Sequence, residues 1–449
     1  MIEKESTRGD IKQCLVEGLK QVPDLYSVPQ GWPPAEDVER LVEQSNGLFV
    51  FVRTAIAFIT DKRHRNPDGR LQHLSNVGAN ARTSGSVLDG LYAEVIQASH
   101  DEISDELVDR LQKVLGAIAL ARVPLSVSAL AGLLDLSENM VINTLDGLHS
   151  VLHIPTNRLD PILVIHPTFP EFLLRSPTQN TSGAPTTLEA FCILPTRKHW
   201  FLLSQCLDTM SFLKRDVVGI RYPAKFKSEI EGFSELTLKA IPPHVRYASR
   251  YWASHFLEGL DDPTQIDVSD KFRSFMHERA LFWFEACLLL DIPATPALEA
   301  ALSACRTLGG AFAELAPLLT DSHRFMQTNL SVMLTAPLQL YHFVLSIAPT
   351  SSNVRALYPR ELEHSIVVCQ GAPSHWSPSL DTFVGHGGKA INSVAFSSDG
   401  SCFASGGSDN HVRIRDSATR TELQSFDGHT GWVRSVALSP DGAHVASGS

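Results

Sequence analysis

A phosphate cradle of the form G-x-x-x-x-G-K-[ST] wraps backbone N–H groups around a polyphosphate and adds a Lys and a hydroxyl to handle charge and Mg²⁺. The one Gly-Lys pair of this chain, Gly388-Lys389, has Phe383 where the first glycine should stand and Ala390 in place of Ser or Thr. Asp261-Asp262 follows Phe256-Leu257-Glu258-Gly259-Leu260, not the run of strand residues that precedes the Mg²⁺-side acid (Walker B) of such a site. His277-Glu278 is an isolated pair without the second histidine of a zinc helix and reads as a solvated helix face. Ser, His and Asp occur throughout, yet never in the spacing of a nucleophile elbow. Cys14, Cys192, Cys206, Cys287, Cys305, Cys369 and Cys402 make no CxxC pair, no metal-ligand spacing and no even-numbered disulfide framework. The expectation is a chain with no catalytic residue and no metal, one that binds rather than reacts.

Composition points the same way. The 449 residues carry 49 acidic against 38 basic side chains, a net charge of −11. The acids are scattered along the chain, which favours solubility and disfavours nucleic acid or an anionic membrane as partner. Sparse cysteine fits a reducing compartment, and the expected location is cytoplasmic. The opening Met-Ile-Glu-Lys-Glu-Ser-Thr-Arg has no apolar core for a secretion signal. No apolar run reaches the roughly 18 to 20 residues that span a bilayer. The strongest candidate, Ala280 to Leu290, is interrupted by Glu285 and reads as a buried helix.

Length gives room for about three domains. Residues 8–60 read as two helical stretches separated by a Pro/Gly turn region from Pro23 to Pro34; an amphipathic helix runs over Asp37–Gln44 and, after Asn46-Gly47, an apolar one over Leu48–Ile59. Arg63 to Ser86 is polar and reads as a loop with one short helix around Leu71. A helix over Leu107–Arg122 is followed by a short one through Leu130, Leu133 and Leu134, and by a third, capped by Ser137, with Val141, Leu145 and Leu148. Two short apolar runs, Val151–Ile154 and Ile162–Ile165, flank a Pro-Thr-Asn-Arg-Leu-Asp-Pro turn. Helix, helix, helix and hairpin is the winged-helix order. Pro195 to about Ser346 is helical in pattern, without a fixed repeat period.

The last 70 or so residues alternate β-rich runs with Gly, Ser, Asp and His turns. Gly385-His386 recurs at Gly428-His429, Ser393-Val394-Ala395 at Ser435-Val436-Ala437, Asp399-Gly400 at Asp441-Gly442, and Ala404-Ser405-Gly406 at Ala446-Ser447-Gly448. This register closely resembles WD repeats, whose period is roughly 40 to 45 residues and whose units are four-stranded propeller blades. The resemblance implies that His386, Ser405 and Asp409 belong to the hydrogen-bonded tetrad that stitches a blade, a structural role rather than a binding one. The tetrad's Trp is replaced by Arg415, before Asp416, so the first blade is expected to be somewhat weakened. The second repeat reaches Ser449 in its second strand, under two blades and so short of a closed ring.

The preceding region resembles the C-terminal half of fungal NACHT-type signal-transducing NTPases (STAND proteins), in which WD repeats form the sensor. The landmarks, in order, are Gly47-Leu48-Phe49 with Thr54-Ala55, Pro124-Leu125-Ser126 with Leu130-Ala131, and His166-Pro167-Thr168-Phe169-Pro170-Glu171-Phe172-Leu173, similar to the family's His-x-Ser-Phe-x-Asp-Phe-Leu. Tyr247-Ala248 with Tyr251-Trp252, and Pro349-Thr350-Ser351-Ser352, follow in register. The resemblance implies that His166 contacts a bound nucleotide diphosphate, with ADP or ATP the cofactor of full-length members and homo-oligomers their active form. It also implies a chain lacking the P-loop core, with the propeller truncated.

The resulting expectation is a multidomain, mainly α protein followed by an incomplete β-propeller. Its parts are the C-terminal helical part (lid) of a NACHT module over 1–106, a winged helix over 107–180, an α-helical linker over 181–375, and the start of the propeller over 376–449. Its function is read as non-catalytic protein interaction and signal relay in fungal innate immunity, with proteins as partners through the WD repeats. The alternative is a nucleotide-binding switch, if a P-loop lies upstream or is supplied in trans. DNA binding is disfavoured: Ser137 to His149 offers Asn139 and Asn143 against Glu138 and Asp146, with no Lys or Arg.

Overall fold

The computed structural model describes residues 2–26, 28–61, 66–80, 87–100, 104–175, 191–260, 267–363, 365–377, 386–417 and 421–449. Phe383, Gly385 and Asp261-Asp262 lie outside them. The chain forms two compact units, residues 1–212 with 242–271, and residues 213–241 with 272–449. The described residues are mostly helical, with the strands gathered at the C-terminal end apart from one short hairpin.

In the first unit, α1 (Ile2–Leu19) buries Ile11, Leu15 and Leu19 at helical spacing against α3 (Ala35–Gln44) and α4 (Phe49–Ile59), after the single turn α2 (Val22–Leu25). The contact with α4 is close at Gly18, where an added Cβ would lie 2.6 Å from Ile56 Cδ1. Helix α4 buries Phe51, Val52, Ala55, Phe58 and Ile59, while Phe49 and the preceding Leu48 stay exposed, so it is not enclosed on every side. The expected short helix around Leu71 is in fact α5 (Pro67–Asn80), 14 residues long. Its polar composition suggested a loop, but Leu71 and Leu74 are buried, and the buried Arg70 places its guanidinium 4.4 Å over the Phe58 ring while donating to the Phe58 carbonyl at 2.5 Å. Tertiary contacts with α4 override weak local propensity here.

Helix α6 (Val87–Gln97) leads to α7 (Asp105–Leu120), α8 (Val127–Leu134) and α9 (Glu138–Leu145). Each of the last three begins on a serine whose hydroxyl accepts a backbone N–H: Ser104 from Leu107, Ser126 from Ala129 and Ser137 from Met140. Gly147, at φ 80°, follows α9, which ends before Leu148. The two apolar runs pair antiparallel as β1 (Leu152–His153) and β2 (Leu163–Val164), shorter than the sequence runs, with Leu152 opposite Val164. Then comes α10 (Thr168–Leu173). Helix α11 (Pro195–Met210) packs against α13 (Pro243–Glu258), with the Trp200 and Phe256 rings edge to face at 5.6 Å. Helix α12 (Phe233–Ala240), between them in sequence, belongs to the second unit, and α14 (Asp267–Glu278) runs across the division.

The second unit is built on α15 (Ala280–Leu289), the apolar run read as a buried helix, with Glu285 fully enclosed. Around it are α16 (Thr295–Leu308), α17 (Gly310–Ala313), α18 (Ala316–Gln327), α19 (Leu330–Thr335), a π-helical turn over Leu340–Val344 running into α20 (Leu345–Ile347), and α21 (Asn353–Leu357). Asp321 ties α18 to α21 by accepting from the Ser352 hydroxyl and the Val354 N–H, both at 2.8 Å. The C-terminal strands β3 (Ile391–Phe396), β4 (Cys402–Gly407), β5 (Val412–Asp416) and β6 (Glu422–Phe426) form one antiparallel meander in sequence order; β7 (Ser435–Leu438) pairs with β8 (Val445–Gly448) in a second sheet. Among the described residues, no helix is long and apolar enough to cross a membrane.

Candidate functional site

The polar centre of the first sheet grows from its turns. His386 sits in a helical turn just before β3, at φ 59°, and is 2% exposed. Its Nε2 lies 2.9 Å from Ser405 Oγ on β4 and its Nδ1 lies 2.7 Å from Asp409 Oδ1 in the β4–β5 turn. A carboxylate only accepts, so Nδ1 carries the proton and Nε2 accepts from the serine hydroxyl. Arg413 Nη1, 2.6 Å from Asp409 Oδ2, also comes within 2.7 Å of His386 Nδ1; with that nitrogen already protonated, the guanidinium's donor goes to the carboxylate. Partial burial opposes ionisation of Asp409, but hydrogen bonds from His386, Arg413 and the His411 N–H hold its carboxyl well below the ordinary range. The structure thus brings His386, Ser405 and Asp409 together. Sequence reasoning missed Arg413, although strand alternation puts it on the same face as Arg415. Arg415, in the expected Trp position, pairs with Glu422 across the β5–β6 ladder at 3.4 Å.

The second repeat reproduces the His–Ser pair and the hairpin turn of the first. His429 Nε2 lies 2.7 Å from Ser447 Oγ. The hairpin turns also match: Asp399 accepts from the Ser401 N–H and hydroxyl and from the Ser397 hydroxyl, and Asp441 accepts from the Ala443 N–H and the Ser439 hydroxyl. Gly400 and Gly442 occupy the same turn position at φ 70° and 68°, a conformation open to glycine at low cost. Hydrogen bonds from Ser397 and Ser401 lower the Asp399 carboxyl to about 2.

The two repeats are held face to face. Val433 and Val436 pack onto Ala404 and Val412, with Ala395, Ile414, Leu438 and Val445 around them. Polar bonds fix the register: the Val436 N–H donates to Ser393 Oγ at 3.1 Å, the Asn392 amide to the Val433 carbonyl at 2.8 Å, and the Val433 N–H to the Gly407 carbonyl at 3.1 Å. The opposite face of the first sheet is open. Ile391, Val394 and Phe396 are 46%, 53% and 65% exposed there. With Phe403, Arg415 and the His386–Ser405 pair they line a shallow cavity of about 170 Å³.

His166 belongs to the first unit, between β2 and α10. Its Nδ1 accepts from the Thr168 N–H at 3.3 Å and faces the Thr168 hydroxyl at 2.8 Å, which in turn lies 2.6 Å from the Tyr92 hydroxyl. An accepting Nδ1 puts the ring proton of the neutral imidazole on Nε2. Among the described residues, no group of three or more His, Cys, Asp or Glu is arranged to hold a metal ion.

Comparison with known proteins fits this geometry. The family described as "WD domain, G-beta repeat" matches residues 377–416 and 420–449. The "Vegetative incompatibility protein HET-E-1" of Podospora anserina is 28% identical over 405 residues, covering 85% of this chain. The chain spans 28% of that protein's length. The "Serine-threonine kinase receptor-associated protein" of Dictyostelium discoideum is 42% identical over 59 residues, 13% of this chain and 20% of that protein. Together the long match and the repeats make the chain similar, over most of its length, to part of a fungal incompatibility protein, with WD repeats at its C-terminal end.

Proposed function

We propose that this chain is the non-catalytic relay and part of the sensor of a cytoplasmic incompatibility-type signalling protein. In this reading the WD repeats take a protein partner, α11 to α21 transmit the event, and α7 to α9 with β1 and β2 act as a winged helix beneath the lid helices of a NACHT module. In the whole protein, partner binding would release the winged helix and permit nucleotide exchange and homo-oligomerisation. His386, Ser405 and Asp409 serve as blade stitching, not as a ligand site. The observation that carries the reading is the recurrence of the His–Ser pair, the Asp–Gly turn and the apolar face in both repeats: every polar group of the set is spent on holding strands, which leaves surfaces rather than a reactive centre to do the work. The lack of Lys and Arg on Ser137–His149 weighs against DNA as the partner.

A nucleotide-binding switch is the second reading, and one observation favours it. His166 has its Nδ1 engaged by Thr168, so Nε2–H remains a donor suited to a phosphate oxygen. Calorimetry with ADP and ATP on the full chain, beside a His166→Ala variant, separates the two. Absence of binding is expected for the relay; micromolar binding lost in the variant establishes the switch.

A further inference from the structure

Lys198 is a lysine buried without a counter-charge. It stands near the start of α11, 9% exposed, and lays its stem along α7, where a Cβ on Gly116 would lie 2.6 Å from Lys198 Cε. Its amine is 4.2 Å from the centroid of the Phe201 ring, one turn further along the same face of α11. Among the described residues it has no ion-pair partner and no hydrogen-bond acceptor. Asp109 of α7 acts on it from a distance, but that carboxylate is already held by Lys113 at 2.6 Å. Burial, with the Lys113 charge adding to it and Asp109 opposing, brings the amine down to about 7. Such an amine is mostly uncharged at pH 7.5, where an ordinary lysine is uncharged in roughly one part in a thousand. The amine also faces a cavity. Lys113, Phe201, Gln205 and Thr209 help to line a space of about 580 Å³ bounded by α7, α8 and α11. Phe201, Gln205 and Thr209 continue the stripe of Lys198 at helical spacing, and Lys113 lies one turn before Gly116 on α7. The stem passes Gly116 and the amine ends beside Phe201 in the field of Lys113, which puts it at the inner end of that space.

We propose that Lys198 is a modification site, an acyl acceptor whose Nζ attacks the carbonyl carbon of a small acyl thioester admitted through this cavity. The C–N bond forms as the C–S bond breaks; the sulfur leaves as a thiol, taking up the proton that the amine loses, and no oxidant or reductant enters. The product suits the place better than the reactant does. An amide carries no charge to desolvate, Leu133 and Phe201 offer apolar surface to a short acyl chain, and the Gln205 amide and Thr209 hydroxyl are donors on the same wall for its carbonyl. The bond would place extra volume in the seam where α7 and α8 meet α11. The inference goes beyond the relay reading and does not depend on it.

Incubation of the full 449-residue chain with acetyl-coenzyme A, followed by peptide mass spectrometry to time the acetylation of each lysine, tests it. At pH 7.5 Lys198 should react at least about tenfold faster than the exposed Lys20 and Lys389. Its rate should level off above about pH 7, while theirs keep climbing to pH 9. The preference should vanish in urea, where the burial that creates it is gone. Thr209→Trp, which plugs the cavity, should slow Lys198 severalfold and leave Lys20 unchanged; circular dichroism checks its folding, and Gln205→Phe is the second plug if the first does not fold. A Lys198 that reacts no faster than Lys20 and Lys389, a preference that survives in urea, or a folded plugged chain that reacts undiminished would each overturn the proposal.

Discussion

The hydroxyl of Tyr341 donates to Oε2 of Glu285 at 2.5 Å within the second unit, where both side chains are shut off from water. The same carboxylate accepts the N–H of Asp216 at 2.9 Å and of Val217 at 3.3 Å, so α15 holds the segment after Leu213 through one acid. Burial nevertheless outweighs these bonds and pushes the Glu285 carboxyl up to about 7. An acid with a raised folded value binds its proton more tightly in the folded state. Stability of this unit should therefore fall as pH rises from about 4.5 to about 7, by about 1–3 kcal/mol. Glu285→Gln should flatten that slope in thermal melts from pH 5 to pH 8; an unchanged slope would show that the acid is not ionising there.

His255 in the first unit predicts the opposite slope. It is fully buried, with Nδ1 2.9 Å from His199 Nδ1 and Nε2 2.8 Å from the Tyr247 hydroxyl, which accepts the Arg122 N–H. One consistent proton order runs from Tyr247 to His255 to His199, and it requires a neutral His255. Burial, helped by the neighbouring His199 and Arg122, lowers His255 to about 3, and burial also lowers His199. The unfolded chain then binds more protons between about 3 and 6.5, so stability is full above the upper value and is lost as pH falls, by up to about 3 kcal/mol. His255→Phe should lower stability at pH 7.5 by losing the Tyr247 bond, yet show a smaller further loss on going to pH 5. A loss as large as that of the unsubstituted chain, followed by hydrogen exchange in α11 and α13, would reject this account.

What could be read in the sequence and what could not follows the range of the interactions. Ser137 as a helix cap and the Asp-Gly turns are local, set by a side chain and a backbone group within a few residues. The association of His386, Ser405 and Asp409 was legible through the resemblance to WD repeats, in which residues at these positions share one hydrogen-bonded set; only His386 and Ser405 recur within the chain, as His429 and Ser447. Arg413 was not, since a basic residue on a strand face carries no label until the acid beside it is known. Glu285 stood out as a charge in an apolar run, but its donors come from Asp216, Val217 and Tyr341, remote in sequence. Helix α5 was hidden for a similar reason: its support comes from the Phe58 ring and carbonyl, not from its own polar composition.

Close packing between the repeats makes Gly406 a sensitive position. Its missing Cβ is replaced in space by Val433 and Val436. Gly406→Val should cost about 1–3 kcal/mol by overpacking, and the loss should appear as faster hydrogen exchange in β7 and β8. Unchanged exchange there would mean that the second repeat does not depend on this seat.

Replacement of the expected Trp by Arg415 also has a measurable consequence. Arg415 lines the 170 Å³ cavity beside Ser405 and leans on Glu422 at 3.4 Å. Arg415→Trp supplies an indole N–H for the Ser405 side of the cavity and fills part of it with apolar surface. A gain of about 0.5–1.5 kcal/mol in urea unfolding of the sheet is expected. A loss would show that the Arg415–Glu422 pair is the better solution for this blade.

Asp409 accepts from the His386 ring, the Arg413 guanidinium and the His411 N–H, so its removal strands three donors at once. His386 is the one that cannot turn to solvent, being 2% exposed. Asp409→Ala should therefore cost about 1–3 kcal/mol at pH 7, most of it the desolvated Nδ1–H left without an acceptor. The sign of the pH dependence is fixed by the lowered carboxyl: its contribution is present above the unfolded value of about 4 and is lost as pH falls toward the folded one. Hydrogen exchange in β4 and β5 should accelerate in the variant at pH 7, and the difference from the unsubstituted chain should shrink under acid. The His429–Ser447 pair of the second repeat serves as the internal control, since it has no bond to Asp409. If exchange there accelerates as much as in β4, the stitch does not act within its own blade and the structural role assigned to His386, Ser405 and Asp409 fails.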